Sequence, residues 1–145
     1  MTRRLDRKVA LVTGASRGIG EAIARRFAAD GARVALAARD EAASRRIARE
    51  IHAEGGEAIA LHCDVTDSRS IAETVRAVVE KWERIDVLVN NAGLGGPTPL
   101  SDPDDTRWDA ILATNLTAVF RMTREALPRL SDGGRILNMS SVVGR

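Results

Sequence analysis

Lys8-Val9-Ala10-Leu11-Val12-Thr13-Gly14-Ala15-Ser16-Arg17-Gly18-Ile19-Gly20 is the stretch around which this chain is organised. Apolar residues from Val9 to Val12 run straight into a glycine-rich turn. An amphipathic helix follows Gly20, with Ile23 and Phe27 at i and i+4. A short apolar run ended by a turn signal reads as a strand buried on both faces. Gly14 lets the chain reverse sharply, and the missing Cβ at Gly18 lets a ligand touch the backbone. Gly20 lets the helix pack close to the strand. The exposed N–H groups and positive dipole end of that helix then form a site for phosphate. Strand, turn and helix together read as the phosphate-binding half of a nucleotide fold.

The rest of the chain repeats the alternation. Arg33–Ala38 is a second strand, and Asp40 caps a helix over about Glu41 to Glu54 that carries Ile47 and Ile51 and stops at Gly55-Gly56. Ala58–Leu61 is a third strand. Thr66 or Asp67 caps a helix bearing Ile71, Val75, Val78, Val79 and Trp82. Ile85–Val89 is a fourth strand, followed by a Gly- and Pro-rich loop from Leu94 to Pro103. A long helix is expected from about Asp105 to Leu130, with Trp108, Ile111, Leu112, Leu116, Val119, Phe120 and Leu127 on its apolar positions. Pro128 disrupts its last turn, and Gly133-Gly134 ends it. Arg135–Met139 is a fifth strand that runs on through Ser140 and Ser141 to Arg145. Such alternation predicts an α/β fold, a doubly wound parallel sheet of Rossmann type, in one domain over residues 1–145. In such a sheet ligands bind beyond the carboxyl ends of the strands, where all the polar motifs fall. The sheet is expected to stop at its fifth strand in these residues, truncated there and leaving an exposed apolar edge. The isolated chain is therefore expected to be marginally stable or to associate.

Composition narrows the partners. With 44% hydrophobic and 29% charged residues, the chain reads as a soluble globular protein rather than a disordered one. The formal charge is only +2 and the arginines are spread over helices, so no nucleic-acid partner is expected. The single cysteine, Cys63, cannot form an intramolecular disulfide and reads as a small buried hydrophobe. No apolar run approaches a membrane span or a signal peptide, so no membrane partner is expected and the cytoplasm is the default location. His52 and His62 lack ligand-type neighbours in sequence, and no metal is expected.

The glycine spacing is G-x-x-x-G-x-G, and Thr13 to Gly20 resembles the cofactor loop of the short-chain dehydrogenase/reductase family. The resemblance assigns Gly14, Ser16, Arg17, Gly18, Ile19 and Gly20 to the cofactor. An NAD site places an acidic residue at the end of the second strand, to accept from the ribose 2′-hydroxyl. Here Ala38 stands there and Arg39 follows. A guanidinium suits the 2′-phosphate of NADP(H), and Arg17 would approach the same phosphate. Asp40 could instead bind the ribose, but helix capping explains it more simply. Asp64-Val65 resembles the family's adenine-binding pair. Asn90-Asn91-Ala92-Gly93 is a second family signature: its side-chain amides can tie neighbouring strand ends together, Ala92 and Gly93 leave room for a ribose, and the resemblance assigns Asn90, Ala92 and Gly93 to the cofactor.

The resemblance implies hydride transfer between nicotinamide and a carbonyl or alcohol substrate. Ser141 matches the serine that holds the substrate carbonyl, with Ser140 as its neighbour, and Asn115 matches the asparagine that holds a water in the proton relay. Arg107-Trp108 to Phe120-Arg121 resembles the branch of 3-oxoacyl-[acyl-carrier-protein] reductases, so an acyl thioester is a further substrate class, and a full-length form is expected to be a homo-oligomer. The family's Tyr-x-x-x-Lys proton donor belongs a dozen or so residues after Ser141. The 145 residues contain no tyrosine, so they are expected to lack that part of the site and to be inactive alone. An alternative is a catalytically inactive short form that binds nucleotide or pairs with a full-length relative through its long helix. Gly14-Ala15-Ser16-Arg17-Gly18 also matches the G-x-S-x-G of hydrolases, but both histidines come too early in the chain for that site.

Overall fold

The computed structural model of the chain describes residues 3–97, 99–101 and 104–141. Its elements are β1 (Val9–Thr13), α1 (Gly18–Ala29), β2 (Arg33–Ala38), α2 (Glu41–Ala53), β3 (Glu57–His62), α3 (Ser68–Trp82), β4 (Ile85–Asn90), α4 (Thr106–Leu112), α5 (Ala118–Ala126) and β5 (Leu130–Asn138). The strands form one parallel sheet in the order β3-β2-β1-β4-β5. This is the doubly wound, Rossmann-type arrangement that the alternation predicts. The chain winds outward from β1 to β3, then crosses back to place β4 on the other side of β1. A crevice therefore opens at the carboxyl ends of β1 and β4, where the winding reverses.

Period-two alternation explains why β1 is apolar throughout. Val9 and Leu11 face α3 and α5, among Ile71, Val75, Val78 and Met122. Ala10 and Val12 face α1 and α2, among Ala24, Ala28, Ile47 and Ile51. Both faces of the central strand are thus dry, and all five of its residues are buried. Ile23 and Phe27 pack at the margin of the second layer rather than in its centre. Asp67, not Thr66, caps α3: its side chain accepts from the Arg69 N–H.

At the end of the sheet away from the crevice, Asp86 forms a buried polar knot. One carboxylate oxygen accepts from the Val9 N–H at 2.8 Å and from Arg84 Nε at 3.0 Å. The other accepts from the Ser131 hydroxyl at 2.6 Å and lies 3.6 Å from Lys8 Nζ. This one residue joins β1, β4 and β5.

The long helix departs from expectation. It begins as α4, passes through a π turn at Ala113–Thr117, in which the Ala118 N–H donates to the Ala113 carbonyl, and continues as α5. It ends in a single 3₁₀ turn, Leu127–Arg129, with Pro128 at its start. Gly133-Gly134 does not end the helix; the pair lies inside β5, where the register against β4 slips between Ile85 and Val87. Pro128 supplies no N–H to extend the helix, and Leu130 is already extended and paired with Ile85. The expected apolar face is also not the packed one. α5 buries Ala118, Met122 and Ala126, whereas Trp108, Leu116, Phe120 and Leu127 are each more than half exposed. β5 is an outer strand with Leu137 and Met139 about 40% exposed, as expected of an apolar edge. The expected run-on from Val142 to Arg145 lies outside the described residues, as do Thr98, Asp102 and Pro103 of the loop after β4. No helix among the described residues is long and apolar enough to cross a membrane.

Candidate functional site

A cleft of about 860 Å³ opens at the carboxyl ends of β1 to β4. Its floor is the turn between β1 and α1, contributing Gly14, Ser16, Arg17, Gly18 and Ile19. Gly14 has φ +63°, and a Cβ there would sit 2.8 Å from the Ala92 Cα. A Cβ at Gly20 would overlap the Gly14 carbonyl, so Gly20 serves the helix–strand approach and does not line the cleft. Around Gly18 there is open space. The residue before α1, Arg17, makes no capping bond to it, in contrast to Asp40 and Asp67 at α2 and α3. The first N–H groups of α1 thus lack a side-chain cap at the turn that forms the cleft floor.

One wall comes from the ends of β2 and β3. Arg39, Asp40, Asp64 and Val65 line it, together with Cys63. The Asp40 carboxylate accepts from the Ala43 N–H at 3.0 Å and is the cap of α2. Asp64 accepts from both the hydroxyl and the N–H of Thr66, at 2.7 and 2.9 Å, through one oxygen. Those two bonds hold its carboxyl below the usual carboxylate range, against some burial and with help from the Arg39 charge. Cys63 is buried, and burial pushes its thiol pKa up, so it stays protonated at neutral pH.

The opposite wall follows β4. Ala92, Gly93 and Leu94 line it, with Thr114 from the π turn. Thr13 fastens this wall to β1 across the crevice. Its hydroxyl accepts from the N–H groups of Asn91 and Ala92, both at 3.0 Å, and donates to the Val89 carbonyl at 3.3 Å. The Asn91 amide returns the connection, donating to the Thr13 and Gly14 carbonyls at 3.1 and 3.3 Å. Asn90 does not reach the cleft: its amide donates to Thr123 Oγ1 and Asn138 Oδ1, joining β4 to α5 and β5. Thr13 and Asn91 therefore carry much of the geometry, Asn91 as one of the amides expected to tie strand ends together and Thr13 through a hydroxyl to which the sequence reading gave no part of its own. The available signal was the Asn-Asn pair itself, because successive residues of a strand point to opposite faces.

A family model described as short chain dehydrogenase matches residues 8–145. The chain belongs to the short chain dehydrogenase family. It is 42% identical to a 3-oxoacyl-[acyl-carrier-protein] reductase of Synechocystis sp., over 97% of this chain and 58% of that protein. A metagenomic short-chain oxidoreductase solved in complex with NADP is 46% identical, with a TM-score of 0.91, covering 97% of this chain and 65% of that one. A 7α-hydroxysteroid dehydrogenase solved with NADH and 7-oxo glycochenodeoxycholic acid is 33% identical, with a TM-score of 0.93, covering 99% and 56%. The chain spans about half the length of the curated relatives it matches. Members of this oxidoreductase family thus carry either nicotinamide cofactor.

The two residues that the family resemblance names as catalytic sit apart from the cleft lining. Asn115 lies in the π turn, and its amide is engaged by the backbone of the β4 loop: Oδ1 accepts from the Leu94 N–H at 2.7 Å and Nδ2 donates to the Leu94 carbonyl at 2.8 Å. It is exposed. Ser141 is exposed and follows the carboxyl end of β5. Among the described residues, no three of His, Cys, Asp and Glu gather as a metal site. His52 has a packing role, its Nε2 accepting from the Ala58 N–H at 3.1 Å.

Proposed function

We propose that these residues form the cofactor-binding half of an NADP(H)-dependent oxidoreductase acting on a carbonyl or alcohol, with an acyl thioester as one substrate class. The observation that carries the reading is the β2 wall of the cleft. Arg39 lines this wall and Arg17 the adjoining floor, and the carboxylate that follows Arg39 in the chain, Asp40, is engaged as a helix cap. Two guanidinium groups favour a 2′-phosphate, and the α2 cap accounts for Asp40 without a 2′-hydroxyl.

The residues fit a dinucleotide along the whole cleft. Arg17 and Arg39 would hold the adenosine 2′-phosphate, and Asp64 would accept from the adenine amino group through its second oxygen, with Val65 against the ring. The uncapped N–H groups of α1 and the open space at Gly18 suit the pyrophosphate. Ala92 and Gly93 would leave room for the nicotinamide ribose. When bound, the nicotinamide supplies or accepts a hydride. Ser141 would hold the substrate carbonyl by a hydrogen bond, and Asn115 would fix the β4 loop and a relay water. The family's tyrosine lies outside these residues, since the sequence has none.

A fluorescence titration of the 145-residue chain with NADPH and NADH tests this reading. Saturable binding is expected, at least tenfold tighter for NADPH, with no turnover of a ketone or a 3-oxoacyl thioester above background. Equal affinities would overturn the NADP preference, and turnover would overturn the need for the absent tyrosine. The exposed side chains Leu116, Phe120 and Leu127 support a homo-oligomer formed through the α5 side. Sedimentation velocity should show concentration-dependent association that Phe120→Glu reduces; a monomer at all concentrations would contradict it.

A further inference from the structure

We propose that Arg107 is a positioning residue, clamping the loop after β4 so that the cleft is shaped for the nicotinamide half of a dinucleotide. The proposal rests on the NADP(H) reading of the cleft. The loop over residues 93–97 has little to hold it. Gly95, Gly96 and Pro97 are exposed, and among the described residues no backbone–backbone hydrogen bond fixes any residue from Gly93 to Pro97. Two side chains do so instead. Asn115 takes both polar groups of the Leu94 backbone. Arg107, half-buried on the first turns of α4, donates from Nη2 to the Gly95 carbonyl.

The guanidinium also lies against Gly96. A Cβ there would overlap Nη2 and stand 3.3 Å from Cζ, and Gly96 has φ +119°, which side-chain-bearing residues rarely adopt. Loop and arginine are therefore fitted to each other. Gly93 and Leu94, which line the cleft, are the next residues upstream. An arginine suits the task better than a lysine, because the Nη2 end of a rigid planar fork can donate to the Gly95 carbonyl and stand against Gly96 at once. Without the clamp, the ligand must order the loop as it binds, and that loss falls only on ligands that reach the β4 wall.

The test compares NADPH with adenosine 2′,5′-bisphosphate, which carries the 2′-phosphate but stops short of the β4 loop. Both are titrated against the full chain and its Arg107→Ala and Arg107→Lys variants. Arg107→Ala is expected to weaken NADPH about tenfold and leave the bisphosphate within about twofold, with Arg107→Lys in between. Equal NADPH affinity in all three proteins would overturn the clamp. Parallel weakening of both ligands would also overturn it, because that pattern marks a general structural effect. If the unaltered chain bound neither ligand, the NADP(H) reading itself would fail, a result distinct from the other two.

Discussion

Replacing Arg17 and Arg39 together by alanine is expected to weaken NADPH binding by about thirtyfold and to leave NADH within about twofold. Both side chains are exposed at the rim of the cleft, so each charge-assisted contact to a 2′-phosphate is discounted to about 1 kcal/mol. NADH has no 2′-phosphate and loses nothing. The preference for NADPH should therefore collapse toward unity, and raising the salt concentration should erode it in the unaltered chain first. Asp40→Ala is the internal control. Loss of the α2 cap should cost about 1 kcal/mol of stability without changing the ratio of the two affinities. If Asp40→Ala instead weakened NADH selectively, the carboxylate would be a ribose ligand and the assignment of this wall would be wrong.

The second large effect is on stability. Asp86→Ala should destabilise the chain by about 3 kcal/mol and lower Tm by roughly 10 °C. The side chain is 4% exposed, and its removal strips an acceptor from the Val9 N–H and the Ser131 hydroxyl while leaving the charges of Lys8 and Arg84 unpaired. Burial alone would raise the Asp86 pKa, but hydrogen bonds from Ser131, Val9 and Arg84 outweigh it and hold the carboxyl below its usual range. A carboxyl depressed on folding contributes stability that is fully present above its unfolded pKa of about 3.9. That contribution is lost as pH falls through the lower folded value. The gap between the unaltered chain and Asp86→Asn should thus be widest near neutrality and narrow below about pH 4. Urea melts followed by circular dichroism at pH 7 and pH 3 would measure it, and a gap independent of pH would refute the ionised-knot account.

The strand–turn–helix unit at Val9 to Gly20 was legible because its signals are local. An apolar run sets the strand, glycine positions set the turn, and the required close approach of helix to strand leaves its mark on the same dozen residues. The parallel order followed from the alternation of elements, and the cleft from the rule that places ligands at strand carboxyl ends. The capping role of Asp40 was also legible, since a cap at a helix start has its own spacing.

Elsewhere the local pattern was ambiguous, and only the folded chain decided. The helix from Thr106 to Ala126 has two apolar sides, and periodicity cannot say which one packs; the sheet takes Ala118, Met122 and Ala126, with Met122 filling the space between two alanines. The helix ends where Leu130 finds Ile85 across the sheet, a contact 45 residues away in sequence, rather than at the glycines that usually signal a stop. Asn90 and Asn91 are identical in type, and strand direction alone sends one beneath the sheet to Thr123 and Asn138 and the other to the cleft. Arg107 opens a stretch with a family resemblance, but nothing in that stretch signals its contact with the Gly95 carbonyl, which exists only because α4 folds back over the loop that precedes it. Composition, periodicity and glycine spacing determine which elements form and where the cleft opens. Which face is buried, which asparagine faces the cleft and what holds the β4 loop depend on contacts between residues distant in the chain, and such contacts leave no local pattern to read.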